Sequence, residues 1–474
     1  MSYKAPNPYV ESVVYKGNSS ASDSNSIMGM IGITPTGDTT KAILVTSWTE
    51  FVEKFALGVA TPFMTNSMLA YAVYGFYQNG GTQLYIKRVV GTNAKKATAG
   101  ADLIFTAKTE GEWGNKISVA VVENADDTEN PFIINVYYDG AENLVESFVV
   151  NANIASANYF VDIVENNSAY ISVSGTLAET ASTTLSNGAD DLTSINDDTY
   201  IEALTAFDMV HNLAGISVPG QATNKIITEV LKYTGNKPVL PVFEIPSSSI
   251  EATQIISFVK KACAGKNAVI YGPNVRVIDP LSVTGKTKDV PPSGHIMGVI
   301  ARTIDTKGEW NAAAGTDAVL KGVVGVTLNF TDEERGKLNE AGINVLLTKP
   351  NYGTVIWGAR SQSADKGLKY VSNLTLNHTL RRNINDAMQR FEFKNNNASL
   401  WVDITAEITG LLETKRLAGA FAGDTAETCY YVRCDSSNNT QATIDKGQVI
   451  VEVGYADNKP AEFIIVRVAH QISN

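Results

Sequence analysis

Between residues 103 and 185 the chain has almost no helical periodicity, whereas strands and helices alternate on either side of that stretch. This change of texture constrains the fold more than any other feature. Helix faces repeat apolar residues every three to four positions and strand faces every two, so one layered arrangement cannot run through a segment that carries only the second pattern. The chain therefore reads as an α/β core, a mixed sheet with flanking helices, into which an all-β domain is inserted at 94–189. Within the insertion, strands are expected at 117–122, 132–138, 147–150 and 169–173, separated by turns rich in Asn, Asp and Gly.

Outside the insertion the pattern predicts strands at 27–33 and 84–90, with helices at 48–55 and 66–77 between them. After it, strands are expected at 208–213, 239–244, 268–271 and 343–348, and helices at 222–232 and 250–264. The segment Thr331-Asp-Glu-Glu334 is a capping box that should open a helix running to Ala341. Two amphipathic helices follow. One carries Leu376, Leu380, Ile384, Met388 and Phe391; the other carries Leu400, Ile404, Ile408, Leu411 and Leu412. From Thr428 on, the chain reads as β. The expected division is an N-terminal arm and linker at 1–20, a discontinuous core of 21–93 with 190–460 subdivided near 360, the insertion at 94–189, and a C-terminal strand or arm at 461–474.

A chain of 474 residues with 44% apolar content can build two or three cores. The net charge of −11 argues against a general nucleic-acid binder. No apolar run is long enough to span a bilayer, and the N-terminus has no apolar signal core, so neither membrane insertion nor a secretory peptide is expected. The three cysteines, Cys263, Cys429 and Cys434, fit a reducing compartment.

Catalytic patterns are weak. Gly285-Lys286-Thr287 resembles the end of a phosphate-binding loop, but Pro280 stands where the first glycine is needed. Gly29, Gly32 and Gly37 lack dinucleotide-binding order. Cys429 and Cys434 have no second ligand pair nearby, and His211, His295, His378 and His470 are scattered singly. No catalytic residue, metal ligand or cofactor is assigned.

Both ends of the chain are β-prone. Phe463, Ile464, Ile465 and Val466 are apolar on both faces of any strand they form, and Tyr9, Val10, Val13, Val14 and Tyr15 form a similar run ahead of a Gly/Ser/Asn-rich linker. An unpaired terminal strand recruits other chains. Either both ends fold back into their own domain, or neighbours complete the protein through extended terminal arms that form inter-subunit strands. Arg381, Arg382, Arg390 and Lys394 form a basic patch on this acidic chain, read either as a solvated face or as a surface for an acidic partner.

An ordered set of short segments resembles the contractile tail sheath proteins of myoviruses and related phage-tail-like particles. The set runs from Val45-Thr-Ser-Trp-Thr-Glu-Phe51 and Phe76-Tyr-Gln-Asn-Gly-Gly81, through Gly111-Glu-Trp-Gly-Asn115, Pro291-Pro-Ser-Gly294 and Gly308-Glu-Trp-Asn-Ala-Ala-Ala-Gly315, to Trp357-Gly-Ala-Arg360 and Arg381-Arg382. It ends with Gly419-Ala-Phe-Ala-Gly423, Tyr431-Val-Arg-Cys-Asp435, Asp445-Lys-Gly447 and Pro460-Ala-Glu-Phe463, so it covers nearly the whole chain. The resemblance implies a non-enzymatic subunit that stacks in hexameric rings as a helical homo-oligomer around an inner tail tube protein. Contraction on a baseplate signal would drive the tube through a target envelope. Baseplate and tail terminator proteins are implied partners; nucleic acid is not. The implied location is a virion tail or a released phage-tail-like particle, assembled in a bacterial host cytoplasm. Under this resemblance the basic patch would face the tube. The rivals are a non-contractile virion or shell protein and a cytosolic α/β enzyme.

Overall fold

The computed structural model describes residues 25–58 and 61–462. Eight strands form its principal sheet, in the order Gly353–Trp357, Ile343–Lys349, Val269–Gly272, Leu240–Glu244, Gly215–Ser217, Met28–Gly32, Leu84–Arg88 and Ile43–Val45. The strands from Ile343–Lys349 to Leu84–Arg88 are parallel, and each outermost strand runs antiparallel to its neighbour. Met28–Gly32 and Leu240–Glu244 are buried at every position, as expected of parallel strands covered on both faces. Helices Leu69–Gln78 and Ser293–Lys307 cover one face; Asn224–Thr234, Ala252–Cys263 and Asp332–Glu340 cover the other.

Backbone meets backbone between the helices Leu69–Gln78 and Ser293–Lys307. A Cβ at Gly294 would lie 2.1 Å from the Ala72 carbonyl oxygen, and one at Gly298 would lie 2.4 Å from that of Phe76. Glycine is required there because any side chain would separate the two helices. Ser293–Lys307 is buried almost all round, so it has no amphipathic stripe by which periodicity could reveal it.

The capping box at Thr331 forms: its hydroxyl accepts from Glu334 N at 3.3 Å, and the Glu334 carboxylate accepts from Thr331 N at 2.8 Å. The strand expected at 208–213 does not form. Those residues are turns, with Asn212 at φ 59°, and the strand is Gly215–Ser217. Polar Asp208, His211 and Asn212 suit an exposed turn, whereas Gly215, Ile216 and Ser217 are all buried.

Between Thr98 and Thr184 the strands leave the principal sheet. Thr180–Thr184, Ile117–Glu123, Phe132–Tyr138 and Leu144–Val150 form one antiparallel sheet. Thr98–Ala99, Leu103–Ala107 and Ile171–Gly175 form a second. Phe105, Ile117, Val119, Val121, Ile134 and Val136 are fully buried in a cluster of their own. This stretch is not purely β, because helix Phe160–Asn167 packs Phe160 and Val164 into the cluster. Two buried residues one turn apart are too short a repeat to stand out against strand alternation.

Toward the C-terminus, helices Val371–Met388 and Ala398–Leu417 pack through Leu376, Leu380 and Ile384 on one and Leu400, Ile404, Ile408 and Leu412 on the other. The remaining segment mixes short helices, Ala426–Cys429 and Gln441–Ile444, with the strands Tyr430–Arg433 and Glu452–Tyr455.

Candidate assembly surface

Tyr430–Arg433 and Glu452–Tyr455 pair antiparallel as a sheet of only two strands. Two strands alone are marginal in water. This pair is held from one side: Tyr430, Val432, Val453 and Tyr455 pack on the cluster formed by the two long helices, and the Tyr430 hydroxyl donates to Glu413 Oε2 at 2.9 Å. Asn439 secures the connection, donating to the Ile450 carbonyl at 2.9 Å and accepting from Ile450 N at 2.7 Å. Among the described residues, neither strand has another strand on its outer edge. Such an edge is a row of backbone donors and acceptors into which a further strand fits.

The described chain begins and ends beside this C-terminal unit. At the start, the Asn25 carbonyl accepts from Arg382 Nη2 at 3.3 Å. At the end, the Glu462 carboxylate accepts two hydrogen bonds from Arg360, at 2.7 and 2.6 Å, and one from the Tyr370 hydroxyl at 3.3 Å. Arg360 Nη1 also donates to the Asn339 carbonyl at 2.9 Å. The Arg360 guanidinium holds the Glu462 carboxyl below the usual glutamate range. The terminal runs containing Tyr9, Val10, Val13, Val14, Tyr15, Phe463, Ile464, Ile465 and Val466 lie outside the described residues.

The four basic residues expected on one surface are divided by the fold. Arg382 is only 4% exposed and donates to the Pro238 carbonyl at 2.7 Å, so it belongs to the interior and not to a tube-facing patch. Its helix turns it toward the sheet, a direction that position along the chain alone does not reveal. Arg381 donates to the Asn236 carbonyl at 2.9 Å. Arg390 and Lys394 are exposed and flank Phe391, with the cations 5.0 and 4.8 Å from its ring centre. With Asp403, Ala406 and Glu407 they line an open groove of about 480 Å³, and Arg390 pairs with Glu407 across it.

Gly285, Lys286 and Thr287 lie where an exposed turn enters strand Thr287–Val290, with no helix to follow. Among the described residues there is no group of three or more potential metal ligands, and no helix is long and apolar enough to cross a membrane.

A junction that motif reading missed lies at Arg88. Its guanidinium is fully buried and uses all five N–H donors. It donates to the carbonyls of Thr34 (3.1 Å), Pro35 (3.2 Å), Gly37 (3.2 Å) and Glu110 (2.9 Å), and to Asp190 Oδ1 (2.8 Å). Asp190 Oδ2 in turn accepts from Glu112 N at 2.9 Å. Burial pushes the Asp190 carboxyl up, against the pull of Arg88. The principal sheet is thereby tied to the Glu110–Glu112 segment inside the β-rich stretch and to Asp190, where the chain leaves it. The one signal in the sequence was Gly111-Glu-Trp-Gly-Asn115. Gly111 sits at φ 132°, where a Cβ would meet Asp190 Oδ1 at 2.7 Å, and Asn115 exchanges two hydrogen bonds with the Gly188 backbone, at 2.9 and 2.8 Å.

Residues 194–362 match the family model described as phage tail sheath protein central domain. They supply the five strands from Gly215–Ser217 to Gly353–Trp357 in the principal sheet. That stretch carries the sequence signature of the phage tail sheath family. A tail sheath protein of Enterobacteria phage T4 is 25% identical over 164 residues, which are 34% of this chain and 24% of the phage protein; the chain spans about a quarter of that relative. The sheath fold extends further than the sequence match. The sheath complex of an extracellular contractile injection system, PVC, solved in the contracted state, shares it over 100% of this chain and 99% of its own, with a TM-score of 0.60 at 20% identity. The sheath tail protein of Listeria innocua shares it over 91% and 95%, with a TM-score of 0.65 at 14% identity.

Proposed function

We propose that this chain is the structural subunit of a contractile tail sheath: it polymerises as stacked hexameric rings around an inner tail tube, and its contraction drives that tube through a target envelope. The observation that carries this reading is the two-stranded sheet whose outer edges are both open among the described residues, in a chain whose fold runs the full length of a sheath solved in its contracted state. The terminal strands around Val10–Val14 and Phe463–Val466 of neighbouring subunits would complete that sheet. Each added strand brings several backbone hydrogen bonds worth roughly 0.5–1.5 kcal/mol apiece, plus apolar burial at roughly 25 cal/mol per Å². A small energy difference per subunit is then multiplied along the polymer, and no hydrolysis is required.

The test is removal of residues 1–16. The truncated protein should remain folded and soluble but form no long tubes in negative-stain micrographs; normal tubes would overturn the strand-exchange reading. Arg390 and Lys394 are the residues proposed to face the tube. Reversing both charges should weaken co-sedimentation with the tube protein, and unchanged co-sedimentation would remove them from that role. Baseplate and terminator proteins complete the proposed set of partners.

A further inference from the structure

Helix Val371–Met388 belongs to two cores at once. Val371 and Leu374 pack in the cluster beneath the principal sheet, while Leu376, Leu380 and Ile384 pack in the C-terminal cluster. Its N-terminal end and a turn about two thirds of the way along it meet the two ends of the described chain. Tyr370, the residue that caps the helix, donates to Glu462. Arg382, twelve residues on, donates to the carbonyl of Asn25. At 1.5 Å per residue the two positions are about 18 Å apart along the helix axis.

Each end is rooted by an arginine in fixed geometry. Arg360 and Glu462 form a two-pronged ion pair, with side chains 12% and 14% exposed, so solvent screens it little. Arg382 is held by the carbonyls of Pro238 and Asn25 and by the Thr379 hydroxyl, at 2.7, 3.3 and 3.0 Å. An arm leaving a fixed root reaches its acceptor at a higher effective concentration than one leaving a loose root, because slack at the root lengthens the tether.

We propose that helix Val371–Met388 is a strut that sets the spacing between the two departing arms, with Arg360 and Arg382 as the positioning residues that root them for docking onto other copies of this chain. The inference rests on the strand-exchange reading above. It adds that the register between neighbouring subunits is set inside each subunit, by one helix and two guanidinium clamps.

The test uses the full chain carrying Glu462→Gln, Arg360→Gln, or the exchange Arg360→Glu with Glu462→Arg, beside a deletion of residues 463–474. The critical concentration for tube growth is read by sedimentation, and folding by thermal melting. Glu462→Gln should melt as the parent does yet require a roughly tenfold higher concentration to polymerise, as loss of a charge-assisted bond implies. The exchange should recover most of that loss. If Arg360→Gln fails to fold, Glu462→Gln still decides, because it leaves the bond from Arg360 to Asn339 in place. Parent-like polymerisation of Glu462→Gln beside a deletion that forms no tubes overturns the strut and leaves strand exchange standing. Parent-like tubes from the deletion overturn both.

Discussion

Arg88 and Glu244 show what single buried charges do in this molecule. Replacing Arg88 with Met would leave Asp190 buried without its cation and should cost about 3–5 kcal/mol, read as a fall in denaturation midpoint. Glu244 ends a central strand, is fully buried, and accepts from Gly220 N. Its Oε2 lies near Ser293, at the start of the facing helix, without a hydrogen bond of good geometry. Burial pushes its carboxyl up to about 7 from an ordinary 4.5. The folded state therefore holds a proton that the unfolded chain has lost across pH 4.5–7. The resulting stability is fully present below 4.5 and lost as pH rises through 7, and is worth about 3 kcal/mol. Glu244→Gln should accordingly raise the melting temperature at pH 8 and leave it nearly unchanged at pH 4.5. His295 acts in the opposite direction. Burial lowers it to about 4 from 6.5, so its contribution is present above 6.5 and is lost as pH falls through 4. Between about pH 4.5 and 6.5 the Glu244 and His295 slopes oppose each other and nearly cancel; His378, also buried and held well below the usual histidine range, tips the balance, so melting temperature should rise with pH through that window. None of these roles shows in the sequence, where Arg88, Glu244 and His295 stand without a motif, because burial is set by neighbours that are distant along the chain, such as Asp190 beside Arg88 and Ser293 beside Glu244.

Among the elements, two glycines make opposite demands. Gly294 lies where two helices touch, so Gly294→Ala should destabilise by about 1–3 kcal/mol or more through overpacking. Gly410 lies on the exposed face of Ala398–Leu417, with nothing within 4 Å of a Cβ. Gly410→Ala should stabilise by about 0.5–1 kcal/mol, and the pair can be compared by chemical denaturation under one set of conditions. Elements with a one-sided apolar pattern or an explicit cap were legible in the sequence: Trp48–Ala56, the Thr331 capping box, and the Leu376–Phe391 and Leu400–Leu412 stripes. Ser293–Lys307 was not, because a helix buried on all sides has no stripe. The short strand Gly215–Ser217 was displaced by a few residues, because three buried positions give too little pattern to set a boundary.

At the scale of the whole molecule, charge is unevenly distributed. Residues 94–189 contain five Asp and eight Glu against four Lys and no Arg, a net charge of −9 out of the chain's −11. This stretch leaves the core through paired backbone: Gly91 N donates to the Asp190 carbonyl and Lys95 N to the Ala189 carbonyl, both at 2.8 Å. With its ends this close and a separate hydrophobic cluster, replacing 94–189 by a short Gly/Ser link should leave the remaining core folded, with a melting temperature lowered by no more than about 5 °C. An aggregated product would show that the two parts depend on each other. The sequence by itself determined the alternation of strands and helices, the β-rich interruption and the β-prone ends, because periodicity and propensity are local properties. The tertiary structure alone decided which basic residues face solvent, that Arg88 joins the parts, and that one helix reaches both ends of the described chain. Those outcomes follow from which surfaces the fold buries against one another, and no local pattern contains that information.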